Sequence, residues 1–146
     1  MLEFLKTSEA DAIKVGAEDL QDTVSSIFQE MGVPHEDATL AADALVSADL
    51  RGVETHGVSN MLASYVKGYT NGEINPRPMW RVVRQSLAVA NIDSDRGLGI
   101  IVVPKAMSLA IEKAKSTGVG MVTVGNGRHL GMASYHAMLA LKHDMI

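Results

Sequence analysis

The chain has 146 residues, of which 47% are hydrophobic and 21% charged, a length and balance that suit one domain with a packed core and argue against disorder. The formal net charge of −4 argues against nucleic acid as the main partner, because phosphate binding needs a basic surface. The absence of cysteine excludes disulfides and thiolate metal sites and permits a reducing compartment.

In chain order, Met1–Asp11 is a short polar lead-in, and Ala12–Val15 alternates as a brief strand would. Met1–Ala12 holds one lysine among several acids and does not read as a signal peptide. No apolar run approaches the roughly 20 residues of a membrane helix, so a soluble, cytoplasmic protein is expected. Ala17–Met31 reads as the first helix, with Leu20, Val24, Ile27, Phe28 and Met31 at helical steps and Gly32 and Pro34 ending it. The second runs from Pro34 through Leu50. Its stripe of Ala38, Ala41, Ala42, Leu45 and Ala48 is narrow enough for close helix approach, which predicts a helical hairpin. Arg51–Gly57 breaks the pattern, and Val58–Gly68 resumes it.

Trp80–Val83 and Leu87–Ile92 read as two strands of a hairpin around Gln85-Ser86. Asp93–Gly99 is a loop, and Ile100–Ser116 a helix ended by Gly118, with Pro104 tolerable in its first turn. Val119–Val124 is the last strand and Met132–Leu141 the last helix. This mixed α/β order contains few strands and ends at Asp144-Met145-Ile146 without a cap. It leads us to expect the front part of a longer protein.

Chemistry concentrates in Gly125-Asn126-Gly127-Arg128-His129-Leu130-Gly131, a glycine-rich turn from strand to helix. Unpaired N–H groups at such a helix start suit an anion. The glycines resemble a loosened dinucleotide fingerprint, but they equally serve a tight turn. An unperturbed imidazole titrates near neutrality, so His129 is read as able to carry a proton, or as satisfying backbone groups at the turn. Thr55-His56-Gly57 offers a hydroxyl and an imidazole to a carboxylate or carbonyl, or simply ends a helix.

His129, His136 and His143 recur every seven residues. On one helix successive members would stand about 10 Å apart, too far for one ion, so no metal site is expected. His136 and His143 read as surface or packing residues and His35 as a helix-start residue. The methionines read as core filler, and Asp93-Ser94-Asp95 as a solvated turn.

Together these segments resemble the malate/L-lactate dehydrogenase family, the non-Rossmann group that also holds ureidoglycolate and sulfolactate dehydrogenases. Leu50-Arg51-Gly52-Val53-Glu54-Thr55-His56-Gly57-Val58-Ser59 is similar to its "LRGxxSHGV" segment. Asp93–Gly99 is similar to its "DGxxGxG" loop, and Asn126–Gly131 to its "NSxHFG" segment, in the same order and from about Val15 to the end. Thr55 stands for the family's serine and keeps the hydroxyl. Asn60 stands where many members carry an arginine, Gly127 replaces a serine, and Tyr65 lies one residue from a family tyrosine.

The resemblance implies a nicotinamide-dependent oxidoreductase, using NAD or NADP, that acts on a small 2-hydroxy or 2-oxo acid. It implies His129 as the proton-transfer residue and Thr55, His56 and Asn60 on the substrate side. Asn126, Gly127 and Gly131 would line the cofactor. The implied fold is an incomplete α/β one: an N-terminal helical hairpin plus the start of a mixed sheet, helical over residues 1–75 and the first part of an α/β catalytic and cofactor domain over 76–146. The implied assembly is a homodimer, or association with a missing C-terminal part. Two other readings stay open: a truncated Rossmann-type dinucleotide unit, and a non-catalytic helical interaction or dimerisation fragment.

Overall fold

The computed structural model describes residues 13–146. The lead-in expected over Met1–Asp11 lies outside them, as does Ala12. Ile13, Lys14 and Val15 are exposed and lie in no strand, so that part of the expected strand does not form. Alternation alone makes no strand without a neighbouring ladder.

Helix α1 (Ala17–Glu30) and helix α2 (His35–Leu50) form the expected hairpin. Glu18 and Asp19 in the first turn of α1, and Glu36 and Asp37 in that of α2, suit the positive helix ends. Gly32, at φ +88, provides the left-handed residue at which α1 stops. Val24 and Phe28 of α1 are buried in one cluster with Ala38, Ala41, Ala42 and Leu45 of the α2 stripe, whose Ala48 is buried as well. The small side chains of that stripe let the two backbones come close. After a single 3₁₀ turn at Glu54–His56 comes helix α3 (Val58–Thr70), two residues longer at its end than its pattern predicts.

Strand β1 (Arg81–Gln85) pairs antiparallel with β2 (Val89–Asp93), and β2 pairs parallel with β3 (Met121–Gly125), giving the order β1-β2-β3. The hairpin turn falls at Ser86–Val89, where the Val89 carbonyl and the Ser86 hydroxyl close it with two hydrogen bonds. Trp80 lies outside the ladder. Helix α4 (Gly99–Thr117) makes the crossover between the parallel strands and ends at Gly118, φ +80. Ala90 and Ile92 of β2 are buried, whereas Val89 and Asn91, which alternate with them, are exposed.

One apolar cluster joins Val24, Phe28, Leu45, Tyr65 and Tyr69 of the helical region to Ile74, Leu98, Ile100 and Ile101. It therefore fixes the start of α4, and the loop packed on it, against α3.

The last helix is a correction. The expected Met132–Leu141 helix forms only as α5 (Ala133–Met138), followed by a 3₁₀ turn at Leu141–His143. Met132 is extended, at φ −72 and ψ 111. Leu139 and Ala140 donate three residues back, to His136 and Ala137, rather than four. The buried His136 ring bonds the Leu130 carbonyl through Nε2 at 2.6 Å, which ties the short helix to the preceding loop. Among the described residues no helix is long and apolar enough to cross a membrane.

Candidate functional site

The site begins with a cap. Asp49, near the end of α2, accepts a hydrogen bond from the Val58 N–H through Oδ2 at 2.8 Å, satisfying one of the donors that the first turn of α3 leaves open. Gly57 makes this possible, because a Cβ there would collide with the Asp49 carboxylate. Burial, the largest cause, raises the Asp49 pKa; the Val58 bond opposes it and the Glu54 charge adds to it. The turn between the helices is held by Val53 N–H to Ala48 O, His56 N–H to Val53 O and Gly57 N–H to Glu54 O. The Asn60 amide donates to the Glu54 carbonyl at 2.8 Å. Within this turn the Thr55 hydroxyl lies 2.9 Å from His56 Nδ1.

The second part is the glycine-rich loop. It leaves β3 and runs beside residues 94–99, cross-linked by Ser94 N–H to Gly125 O, Arg96 N–H to Asn126 O, Arg128 N–H to Gly97 O and Gly99 N–H to His129 O. Gly99 permits the approach, since a Cβ there would stand 2.6 Å from Leu130 Cα and from the Arg128 carbonyl. Arg128 donates through Nε to the Glu73 carbonyl at 2.8 Å, and the Asn126 amide donates to Asp93 Oδ1 at 3.1 Å.

These bonds deliver His129 to α3 and to the turn before it. The Tyr65 hydroxyl lies 2.8 Å from His129 Nδ1. The His56 and His129 rings stack at 5.5 Å between centroids and 18° between planes. Nε2 of His129 bonds to no described residue, and the residue is exposed. Burial first, and then the neighbouring His56, hold the His129 pKa below its ordinary value. Burial pushes the Tyr65 phenol well above its own. The arrangement thus presents a neutral imidazole at a surface, held from behind by a neutral phenol, with a second imidazole and a hydroxyl beside it. Such a group can exchange a proton with a bound oxygen.

The structure therefore brings Thr55, His56 and His129 together. Asn60 lies in the first turn of α3, on the Glu54 carbonyl and at the rim of a groove lined by Ile13, Leu20, Val46 and Asp49. Asn126 adopts φ +55 and braces the ends of β2 and β3. Gly131 takes φ +75 with Ile100 packed against it. Gly127 has open surroundings, where a Cβ would meet Ser94 and Val124 at ordinary distances. The glycine turn does not open a long helix, which corrects the anion-cradle reading. Gly131 and Met132 carry the chain past Ile100, and α5 has six residues, too few for a substantial helix dipole.

Sequence reasoning noted Tyr65, within the Val58–Gly68 helix, only as lying one residue from a family tyrosine, and gave it no role at the site. Two signals were available: its place one residue from a family tyrosine, and its hydroxyl, since a phenol on a buried helix face needs a partner. His136 is buried, as a packing residue, and His35 opens α2. Among the described residues no three His, Asp or Glu side chains gather as a metal site would require.

A family model described as malate/L-lactate dehydrogenase matches residues 15–146. Malate dehydrogenase of Pyrococcus horikoshii is 46% identical over 134 residues, covering 92% of this chain and 37% of that protein. L-sulfolactate dehydrogenase of Methanocaldococcus jannaschii is 45% identical, over 84% of this chain and 36% of that protein. The solved structure of sulfolactate dehydrogenase from the same organism superposes with a TM-score of 0.88 at 41% identity, over 91% of this chain and 38% of that one. The chain thus spans a little more than a third of the length of these relatives.

Proposed function

The chain belongs to the malate/L-lactate dehydrogenase family, and on that premise we propose that it forms part of a nicotinamide-dependent oxidoreductase interconverting a small 2-hydroxy acid and its 2-oxo acid. The observation that carries this reading is the meeting of His129, His56 and Tyr65, from three separate elements, around one exposed imidazole. Relatives named malate and sulfolactate dehydrogenase support the same substrate class.

In this reading His129 holds the proton that the substrate oxygen gives up on oxidation and receives on reduction. Its Nδ1 is engaged by Tyr65, so Nε2 is the nitrogen that meets the substrate. Thr55 and His56 orient the substrate carboxylate or oxygen. Asn60 belongs to the same substrate-side group and steadies their turn through Glu54. Asn126, Gly127 and Gly131 form the wall for the cofactor. The loop suits a flat ring there because Gly127 brings no side chain to its surface and nothing crowds that position. When bound, the nicotinamide of NAD or NADP supplies the two-electron half of the reaction. A helical region over 1–75 and the first part of an α/β domain over 76–146 complete the proposal. So does pairing with a second copy, or with further chain of the kind the longer relatives carry.

The test is nicotinamide-linked oxidation of malate, L-lactate and sulfolactate by the protein and by His129→Ala, with circular dichroism as the check on folding. Turnover lost in a folded variant supports the assignment. Undiminished turnover in that variant overturns it.

A further inference from the structure

Tyr65 is 3% exposed, and its hydroxyl bonds to no described residue other than His129. Two arrangements share the 2.8 Å separation of Tyr65 Oη and His129 Nδ1. In one, Nδ1–H donates to the phenol oxygen, and the phenol proton is left buried without an acceptor. In the other, the phenol O–H donates to the lone pair of Nδ1, and every polar hydrogen at the contact is used. A buried donor left unpaired carries the full desolvation penalty, whereas exchanging one good bond for another costs little. The ring's other nitrogen bonds to no described residue, and the residue is exposed, so water can serve that nitrogen in either state.

We infer that Tyr65 is a positioning residue: its buried O–H donates to His129 Nδ1 and keeps the neutral ring in the tautomer that carries its proton on Nε2. The inference deepens the role proposed for His129 and rests on that reading for its use in the reaction, while the tautomer itself is a property of the folded chain. The outward nitrogen then carries an N–H, ready for the oxygen of a carbonyl or carboxylate. A hydroxyl that must give up its proton finds no lone pair on Nε2 until the ring loses that proton to water and gains one on Nδ1, with the phenol turned to accept from it. Protonation of the ring places N–H on both nitrogens, so it also requires Tyr65 to turn its O–H away and accept instead. The lowered basicity of His129, caused first by burial and then by His56, accords with a ring that resists this step. The titratable groups that face it are Tyr65 from α3 and His56 from the preceding turn. Glu54 on that turn and Asp49 behind it are the nearby carboxylates of the same region.

The experiment is nitrogen-15 NMR of the imidazoles in the full 146-residue chain, without substrate or cofactor. His129 is assigned by its loss in His129→Gln. The expected spectrum shows the proton on Nε2, in at least about tenfold excess over the other tautomer. A dominant Nδ1–H signal overturns the inference. In Tyr65→Phe, which keeps the aromatic packing, the His129 pKa is expected to rise, because the removed bond stabilised the neutral ring. An unchanged or lowered value means that the phenol was not a donor, and overturns the inference as well. Should that variant not fold, the spectrum of the unaltered chain decides alone. Neither measurement needs turnover, so a failure here is distinct from a failure of the His129→Ala assay.

Discussion

The imidazole planes of His56 and His129 lie 18° from parallel with their centroids 5.5 Å apart, although the two residues belong to different halves of the sequence. Two positive charges at that separation repel, so protonating one ring opposes protonating the other. The charge of His56 is the second cause, after burial, of the lowered His129 pKa. Replacing His56 by Gln removes it and also opens the face of His129 to water. Both changes act in one direction. The His129 pKa should rise in His56→Gln, read by NMR titration, and the acid limb of any pH–rate profile should move up with it. A fall would contradict the stacking as the source of the shift.

Stability should depend on pH through the same ring and through His136. Burial lowers both pKa values, and in His136 the bond to Leu130 only partly opposes it. The unfolded chain takes up these protons near the ordinary histidine value of about 6.5, while the folded chain does so only at lower pH. The unfolded state therefore binds more protons in the interval between, and stability rises with pH there. It is fully present above about 6.5 and is lost as pH falls towards the folded values. The urea midpoint should fall from pH 8 to pH 5.5, and a flat midpoint over that range would count against the burial of His136 and the lowered basicity of His129.

The cap at the start of α3 makes a prediction about coupling. Asp49→Ala removes the acceptor for Val58 N–H and should cost about 1 kcal/mol, as the loss of a helix cap does. Gly57→Ala sets a methyl group against the Asp49 carboxylate and should cost about 1–3 kcal/mol, the usual range for overpacking. The two effects share one contact, so they should not add. In Asp49→Ala/Gly57→Ala the carboxylate is gone and the methyl group has room. Urea unfolding of the four proteins should give a double-variant loss smaller than the sum of the single ones. Simple additivity would mean that the carboxylate is not seated on Gly57.

Local signals located the helices and strands because each has its own period and stops. Gly32 and Gly118 end α1 and α4 where the sequence placed them, and the alanine stripe of α2 is buried as read. The last helix was less legible. Its apolar spacing continues through Leu141, but the bond from His136 to Leu130 and the three-residue backbone bonds that follow it are tertiary and terminal effects with no periodic signature. The site was legible in part. Thr55, His56 and His129 stood out as polar side chains on glycine-flanked turns. Tyr65 did not, because a buried helix face looks the same whether its phenol bonds an imidazole or only fills space. Finding that bond required knowing that Gly99 brings the His129 loop onto α4 and α3.

That role of Gly99 supplies the last prediction, in contrast with Gly127. Alanine in place of a helical glycine ordinarily favours the helix by about 1 kcal/mol, and Gly99 is the first residue of α4. Against this, its Cβ would stand 2.6 Å from Leu130 Cα, 2.6 Å from the Arg128 carbonyl and 2.7 Å from the His129 carbonyl. All three are backbone atoms that cannot rotate aside. The loop must shift bodily, breaking the Gly99 N–H to His129 O bond, at a cost of about 1–3 kcal/mol for the strain and about 1 kcal/mol more for the bond. The clash wins, so Gly99→Ala should be destabilised by about 1–3 kcal/mol overall. Its His129 should also lose the spectroscopic mark of the bond to Tyr65. Gly127→Ser should behave otherwise. Gly127 is not among the positive-φ glycines, and a Cβ there lies 3.6 Å from Ser94 Oγ and 3.7 Å from Val124, which is ordinary contact. Its stability should stay within about 0.5 kcal/mol of the parent, and the Tyr65–His129 contact should persist. A loop that tolerated the methyl group at Gly99 as readily as the hydroxymethyl at Gly127 would not be seated on α4 as described.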